Sequence, residues 1–434
     1  MNIKKKIAIA AVPAVMALAS TSVDSKILLM SQEGWEVSFD GAANAFIMKN
    51  SGNDVPSVRG GNVQAADTYA PVIGANDDTS IVTGLLPNVW GMTLKAPTAN
   101  GLDVSARLGL YTHMNGGQNS LGNGEINIRE TSGSVAGSFG TVLVGRSLGI
   151  HQSNAILNDM LLFGVGAAAS AGNSNTTLGR IGLGYLYTDF KPQVSWTLPG
   201  MDALAGSFGA KIGLFDPDHI TADTAAFSAT DPSSPRVEAQ ITYTGGIGDL
   251  GVNLWVDGSY QNTDRTAAQA ARVQGKAQNN GHGSEQDQDV DSAGVGFGTK
   301  LSFQGFSVVA SGFYGSAMGI RGQHTTGAST ANGALDDNGK ERKSYGGYIQ
   351  GTYDFGQGSA AGYSYGGNCL KKTGRDMNTF GVMNCQTMHS GMIWHNVTDN
   401  FRLVAEGGFT EKTWYLYDTE QEDSFGGVGA FFFW

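Results

Sequence analysis

The sequence predicts an all-β protein, a transmembrane antiparallel β-barrel of about 16 strands. Three observations carry this. Apolar residues recur at every second position along the chain, short and long connections take turns, and the last residues form an alternating stretch that ends on an aromatic.

The alternation comes first. Leu250, Val252, Leu254, Val256, Gly258 and Tyr260 are interleaved with Gly251, Asn253, Trp255, Asp257 and Ser259. The stretches from Val237 to Thr244, from Gly294 to Phe303 and from Phe401 to Thr410 show the same period. A period of two marks a strand with one apolar and one wet face. A soluble sandwich alternates as well, so the connections have to decide.

Short connections fall near Pro97–Asn100, Ala136–Ser138, Pro199–Ala205, Gly245–Asp249, Gln304–Gly305, Gly356–Gly358 and Thr398–Asn400. Long polar ones fall near Ser51–Thr79, Asn115–Gly122, Leu148–Phe190, Asp216–Pro235, Asn262–Gln288, Ser316–Arg342, Gly366–Thr387 and Glu411–Asp423. Seven hairpins, a first strand at Trp35–Met48 and a last at Phe425–Trp434 bring the expected count to sixteen. An even barrel with tight turns at one rim and long loops at the other has this rhythm, and a sandwich does not. In the final stretch Val428, Ala430 and Phe432 share one face, and Trp434 supplies the interfacial aromatic such a closing strand needs.

Composition agrees. Glycine makes up 64 of 434 residues and only 15% are charged. No apolar run reaches the roughly 18 residues of a membrane helix. Lys4, Lys5 and Lys6, the apolar run Ile7–Ala19 and the small-x-small Ala17-Leu18-Ala19 read as a secretory signal peptide over residues 1–19. The barrel domain is then 20–434, and loss of the three lysines changes the formal charge from −11 to −14. This acidic balance argues against a nucleic-acid partner, which requires clustered Lys and Arg. Cys369 and Cys385, the two cysteines, are expected to form one local disulfide in an exported chain. It either stiffens an exposed loop or shapes a basic lip with Lys371, Lys372 and Arg375.

At this point the chain resembles the general bacterial porins of the Gram-negative outer membrane. Phe139-Gly-Thr-Val-Leu-Val-Gly-Arg146 is similar to that family's fifth strand, which leads into an inward-folded third loop, and the loop after Arg146 is the longest here. The segment Gly179–Phe190 is an apolar addition that the simplest porins lack. The resemblance implies a passive outer-membrane diffusion channel for small hydrophilic solutes and ions, assembled as a homotrimer. It also implies contact with outer-membrane lipid and lipopolysaccharide, no cofactor and no enzymatic activity. The alternatives are a substrate-specific channel for sugar, carboxylate or phosphate, or a structural or adhesive barrel.

Selectivity in such a pore comes from charges at its narrowest ring. Arg107, Arg129 and Arg146 lie on consecutive early strands, with Arg180 adding positive charge, while Asp159 is the only acid of Leu148–Thr188. The expected constriction is therefore anion-leaning; the alternative is that these arginines are merely solvated wall residues. Alternation puts Lys211, Glu238, Asp257, Lys300, Asp354, Arg402 and Glu406 on the wet face. Ala155–Val165 is too apolar for a solvated loop and is expected as a short helix in the pore, with Ile156, Met160 and Phe163 against the wall, or else as a contact between subunits.

Other patterns carry less. Gly362-Tyr-Ser-Tyr-Gly366 fits a hydrolase motif but lies inside an alternating strand. Asp287, Asp289 and Asp291 lack the Gly and Glu that complete an EF-hand. His389 and His395, six apart on a strand, stand roughly 20 Å from each other, too far to share a metal.

Overall fold

A computed structural model describes residues 26–52, 78–114, 125–167, 176–220, 231–265, 289–324, 333–336, 339–374, 382–415 and 420–434. The expected signal segment and Asp287 lie outside the described residues. The strand segments form one antiparallel sheet that closes on itself as a sixteen-stranded barrel. Closure joins Trp35–Gly52 to Gln421–Phe433, from Ala42 opposite Phe433 to Gly52 opposite Asp423. The Gly41 amide then donates to the Trp434 carbonyl at 2.8 Å. A closed ring leaves no strand edge unpaired in lipid.

Three barrel strands are interrupted. Asp78–Val82 and Asn88–Lys95 both pair with the first strand, Phe190–Thr197 and Met201–Ala203 both pair with Gly206–Phe215, and Asp231–Pro232 continues Arg236–Ile247 along Leu250–Asp264. The extra strand Ile27–Gln32 pairs with the beginning of the first strand, outside the ring.

The turns between strands explain the register. Gln304 and Gly305 form the two-residue connection between Asp289–Phe303 and Phe306–Ser316, with φ of 45° and 86°. Positive φ at both positions matches the right-handed twist of the flanking strands. Phe303 therefore faces Phe306, and every later pair of that hairpin follows in order.

One sequence expectation is corrected. The seventh long connection is shorter than Gly366–Thr387, because the strands Ser359–Lys371 and Met383–Thr398 extend into it. Cys369 and Cys385 are cross-strand partners joined by a disulfide on the sheet, not on a loop. Tyr and Cys in alternation continue the strand period there, which the polar composition obscured.

The two faces of the wall differ sharply. Outward positions carry exposed Ile212, Leu214, Ile241, Val256, Phe297, Ile349 and Ile393. Exposed aromatics gather at both rims of this band: Phe303, Phe306, Tyr353 and Phe355 by the short turns, and Tyr260, Tyr314, Tyr345 and Tyr365 towards the long loops. An apolar band between two aromatic girdles is the surface of a lipid-embedded barrel.

Among the described residues, part of the inward face is packed. The segment after Arg146 has a short helix, Ser153–Leu157, and a 3-10 turn, Met160–Phe163. Met160, Leu161, Val165 and Leu183 pack with Phe46, Met48, Met388, Val404 and Phe431 of the wall. Ala155, Ile156, Leu162, Ile181 and Tyr185 pack with Trp255, Val309 and Tyr348 on the opposite side. This burial explains the apolar character of both Ala155–Val165 and Gly179–Phe190.

Candidate functional site

Inward-facing carboxylates hold this segment by its backbone. Glu238 Oε2 accepts from the amides of Ile150 and His151 at 2.6 and 2.9 Å. Asp257 Oδ1 accepts from the Gln152 amide at 2.9 Å and lies 2.6 Å from His151 Nδ1. Glu406 accepts from the amides of Val165 and Gly166, at 2.7 and 2.9 Å, and from Ser390 Oγ at 2.8 Å. Gln350 completes the set, accepting from the Met160 amide at 2.9 Å and donating to Asn158. Each anchor offers acceptors to amides that no helix or sheet satisfies, and buried amides must find partners somewhere. Glu238, Asp257 and Glu406 are accordingly buried, not wet as the period alone suggests.

The expected constriction residues divide into two groups. Arg107 is buried and bidentate to Asp40, at 3.0 and 3.1 Å, with Nε 3.0 Å from Glu130. Arg180 is fully buried; it donates to the carbonyls of Leu183 and Met388 and to Ser364, and lies over the Tyr348 ring. Asp159 is also buried, 3.9 Å from Arg180, accepting from the Leu161 amide and the Tyr185 hydroxyl. Burial raises the Asp159 carboxyl above its ordinary range, with Arg180 pulling it back. Ser364 of the hydrolase-like motif is thus a support for Arg180. These charges are met inside the protein.

Arg129 differs. A bulge sets Gly109 opposite Glu130 and Leu110 opposite Ile128, so Arg129 is the extra residue. A bulge re-aims a side chain, and here Arg129 and Glu130 both point inward. Arg129 donates to the Tyr187 hydroxyl at 3.3 Å and lies over the rings of Tyr111 and Phe190, at 5.3 and 6.0 Å. Arg146 is half-buried nearby. Burial pushes the Tyr187 hydroxyl up to about 12, against the pull of Arg129 and Arg146.

Arg129, Tyr187, Phe190 and Lys191 line a cavity of about 360 Å³, with Arg321, Asp189 and Asp218 beside them and Leu85, Ile156, Leu162 and Ile181 as its apolar wall. Lys191 donates to Glu238 at 2.9 Å and to Gln323 at 3.1 Å. The sequence signal for Lys191 was available: it opens a strand in which Gln193 and Ser195 alternate with exposed Val194 and Trp196. Tyr187 and Arg321 gave none, since loops carry no period.

The wall residues are spread along the barrel. Lys211 and Lys300 are half-buried on the inner side, Lys300 in register with Asn253 and Val309. Arg402 donates to Asn396 at 2.7 Å beneath the Phe163 ring, 4.9 Å away. Asp354 is exposed at the rim, where it accepts from the Gly356 amide at 2.8 Å and caps a turn.

A second segment, 317–324, also reaches inward. Gln323 donates to the His151 carbonyl at 3.1 Å. His324 lies 3.3 Å from Asp218 by Nδ1 and 2.7 Å from Ser292 Oγ by Nε2. The order Asp–His–Ser has the outline of a catalytic triad. Ser292, however, is 1% exposed and its hydroxyl also lies 3.1 Å from the Ala317 carbonyl, so it has no path to a substrate. Burial lowers His324 to about 4, opposed by Asp218 and reinforced by Arg236. Burial alone would raise Asp218, but His324, Lys191 and Arg236 hold it down at about 2.

No family model and no curated protein matches the sequence. Solved structures do match in shape. The outer membrane channel DcaP of Acinetobacter baumannii superposes with a TM-score of 0.66 at 14% identity, over 94% of this chain and 99% of that one. An anion-selective porin from Comamonas acidovorans gives 0.56 at 12% identity, over 92% and 100%. OmpF of Salmonella typhi, in complex with daunomycin, gives 0.51 at 13% identity, over 93% and 99%. Closed ring, alternating connections and outward apolar band agree with these likenesses: the chain has the fold of the Gram-negative outer-membrane porins.

Proposed function

We propose that this protein is an outer-membrane diffusion channel for small hydrophilic solutes and ions, leaning towards anions, and that it assembles as a homotrimer. The observation that carries the reading is Arg129 at the inner cavity. Its partners are a phenol and two aromatic rings, and among the described residues no carboxylate pairs with it. A cation left unneutralised beside a narrow, low-dielectric wall focuses its field on whatever passes. Of the nearby carboxylates, Glu238 is matched by Lys191 and Arg236 and Asp218 by Arg236, which leaves Asp189 as the acid on the cavity wall that opposes it.

The packed inner face favours a second reading, a channel that selects carboxylate or phosphate solutes by binding them in the cavity. Its cationic pole and apolar wall suit such a solute better than a sugar. Single-channel recording of the refolded protein in a salt gradient tests both. Ohmic steps in groups of three with an anion-leaning reversal potential support the diffusion channel. Current blocked by one small anion at low concentration supports the selective channel. Absence of steps from folded protein sinks both.

A further inference from the structure

The inner cavity has two poles of opposite sign. Arg129 and Asp189 both line it, and among the described residues neither forms an ion pair. Their neighbours on the wall are matched: Lys191 by Glu238 at 2.9 Å, and Asp218 by Arg236 at 2.9 Å. Arg129 has only the Tyr187 hydroxyl and the faces of Tyr111 and Phe190. Asp189 accepts the Phe190 amide on Oδ1 at 2.6 Å, which leaves Oδ2 for a second donor. Asp189 is exposed and Arg129 half-buried, so a solute in the cavity reaches both.

Tyr187 links the two poles. Its hydroxyl accepts from Arg129 and keeps its own proton for an incoming acceptor. Besides burial, the charges of Arg129 and Asp189 act on this hydroxyl in opposite senses, so both are near it. Asp189 follows two residues later with φ of 59°, a left-handed conformation uncommon outside glycine but tolerated by Asp. Its carbonyl accepts from the Gly149 amide at 2.9 Å, which fixes that turn. Strained positions held in this way cluster at ligand sites. Opposite the charges stand Leu85, Ile156, Leu162 and Ile181, a wall of branched aliphatic side chains. The volume, about 360 Å³, is at the small end of ligand pockets, which run from roughly 300 to 1,000 Å³. A sugar would leave hydroxyls unmet against the aliphatic wall. A simple anion is opposed by Asp189, and a simple cation by Arg129.

We propose that this cavity binds a small zwitterion, an α-amino acid with a branched aliphatic side chain. Its carboxylate meets Arg129 and the Tyr187 hydroxyl, its ammonium meets Asp189, and its side chain lies against Leu85, Ile156, Leu162 and Ile181. Opposite charges a few bonds apart in the solute are answered by opposite charges on one short stretch of wall. A solute lacking either charge leaves a charge of the site unmatched, which is how a polar site rejects an analogue. The assignment deepens the selective-channel reading above and rests on it.

The test is titration calorimetry of the folded full chain in detergent at neutral pH, with four solutes. L-leucine carries all three features; isocaproate lacks its ammonium, isoamylamine its carboxylate, and glycine its side chain. L-leucine is expected to bind tightest, and loss of either charged contact to weaken binding by about tenfold or more. Loss of the side chain is expected to cost about tenfold as well. Asp189→Asn keeps an acceptor for the Phe190 amide; it is expected to weaken L-leucine by about tenfold and to hold isocaproate at least as tightly as the wild type does. Arg129→Gln is expected to weaken both. Isocaproate binding as tightly as L-leucine overturns the proposal, and so does an unchanged ratio between the two in Asp189→Asn. Heat-shifted gel mobility verifies that each variant is folded. Current block by the same solutes, recorded in parallel, separates this inference from the reading beneath it. Binding and block by isocaproate alone overturn the zwitterion and leave a carboxylate channel. A conducting chain that none of the four solutes binds or blocks overturns both the zwitterion and the selective channel, whereas L-leucine bound without any current keeps the site and sinks the channel.

Discussion

Glu406 gives the sharpest test of how the inner segment is held. Its carboxylate meets the amides of Val165 and Gly166 at 2.7 and 2.9 Å and Ser390 Oγ at 2.8 Å, all buried. Replacing Glu406 by Ala strands both amides, and an unmet buried donor costs about 1–3 kcal/mol. The serine hydroxyl can rotate, so the two amides set the loss at roughly 2–6 kcal/mol. About 3 kcal/mol raises the detached population on the order of 100-fold. The loosening is expected to be local, because Ile150, His151 and Gln152 are held separately by Glu238 and Asp257. Hydrogen exchange of the full chain reads this directly. In Glu406→Ala the amides of Val165 and Gly166 should exchange on the order of 100-fold faster, and those of Ile150 and His151 unchanged. Glu406→Gln, which keeps one acceptor oxygen, should fall between. Unchanged exchange at Val165 would show that packing holds the segment without the carboxylate. Uniform acceleration across 150–167 would show that the anchors are not independent.

Arg129→Glu should move the reversal potential in a salt gradient towards cations, while Arg180→Gln, a buried site, should leave selectivity closer to the wild type; the opposite order would refute the assignment of field to Arg129. Arg107→Ala leaves Asp40 and Glu130 as buried carboxylates without their cation, which costs about 3–5 kcal/mol, so the gel-shift unfolding temperature should fall well below that of a surface variant such as Lys95→Ala. Acid should loosen the junction of 317–324 with Asp218. His324 titrates near 4 against an ordinary 6.5, so protons favour its exposed form and stability falls from about pH 6.5 down to 4. Asp218, held at about 2, adds a further loss below its ordinary 3.8. A nitroxide at Gly322, where an added side chain meets nothing within 4 Å, should gain mobility over that range, and His324→Gln should abolish the upper part of the change. Breaking the disulfide by Cys369→Ser with Cys385→Ser should cost at most about 3 kcal/mol, the loop-closure value for so short a separation, because the two strands are already paired along their length.

Alternation, loop rhythm and the aromatic terminus made the barrel and its strand count legible from residues alone. A period of two is a local property, written into successive side chains by the pleat, and turn residues such as Gln304-Gly305 announce themselves in the same way. The apolar character of Ala155–Val165 likewise disclosed that this stretch is covered. What covers it was not local. Glu238, Asp257 and Glu406 meet amides some 87 to 241 positions away in sequence, so a side chain pointing inward could be read as facing water when it faces protein. The same holds for the cations: Arg107, Arg129 and Arg180 look alike as a basic series, yet two are met by acids or carbonyls and one looks onto the cavity beside a bulge that brings Glu130 to the same face. Strand faces follow from the order of residues, whereas which inward charges stay free depends on where a loop comes to rest, and that is decided only when the ring has closed around it.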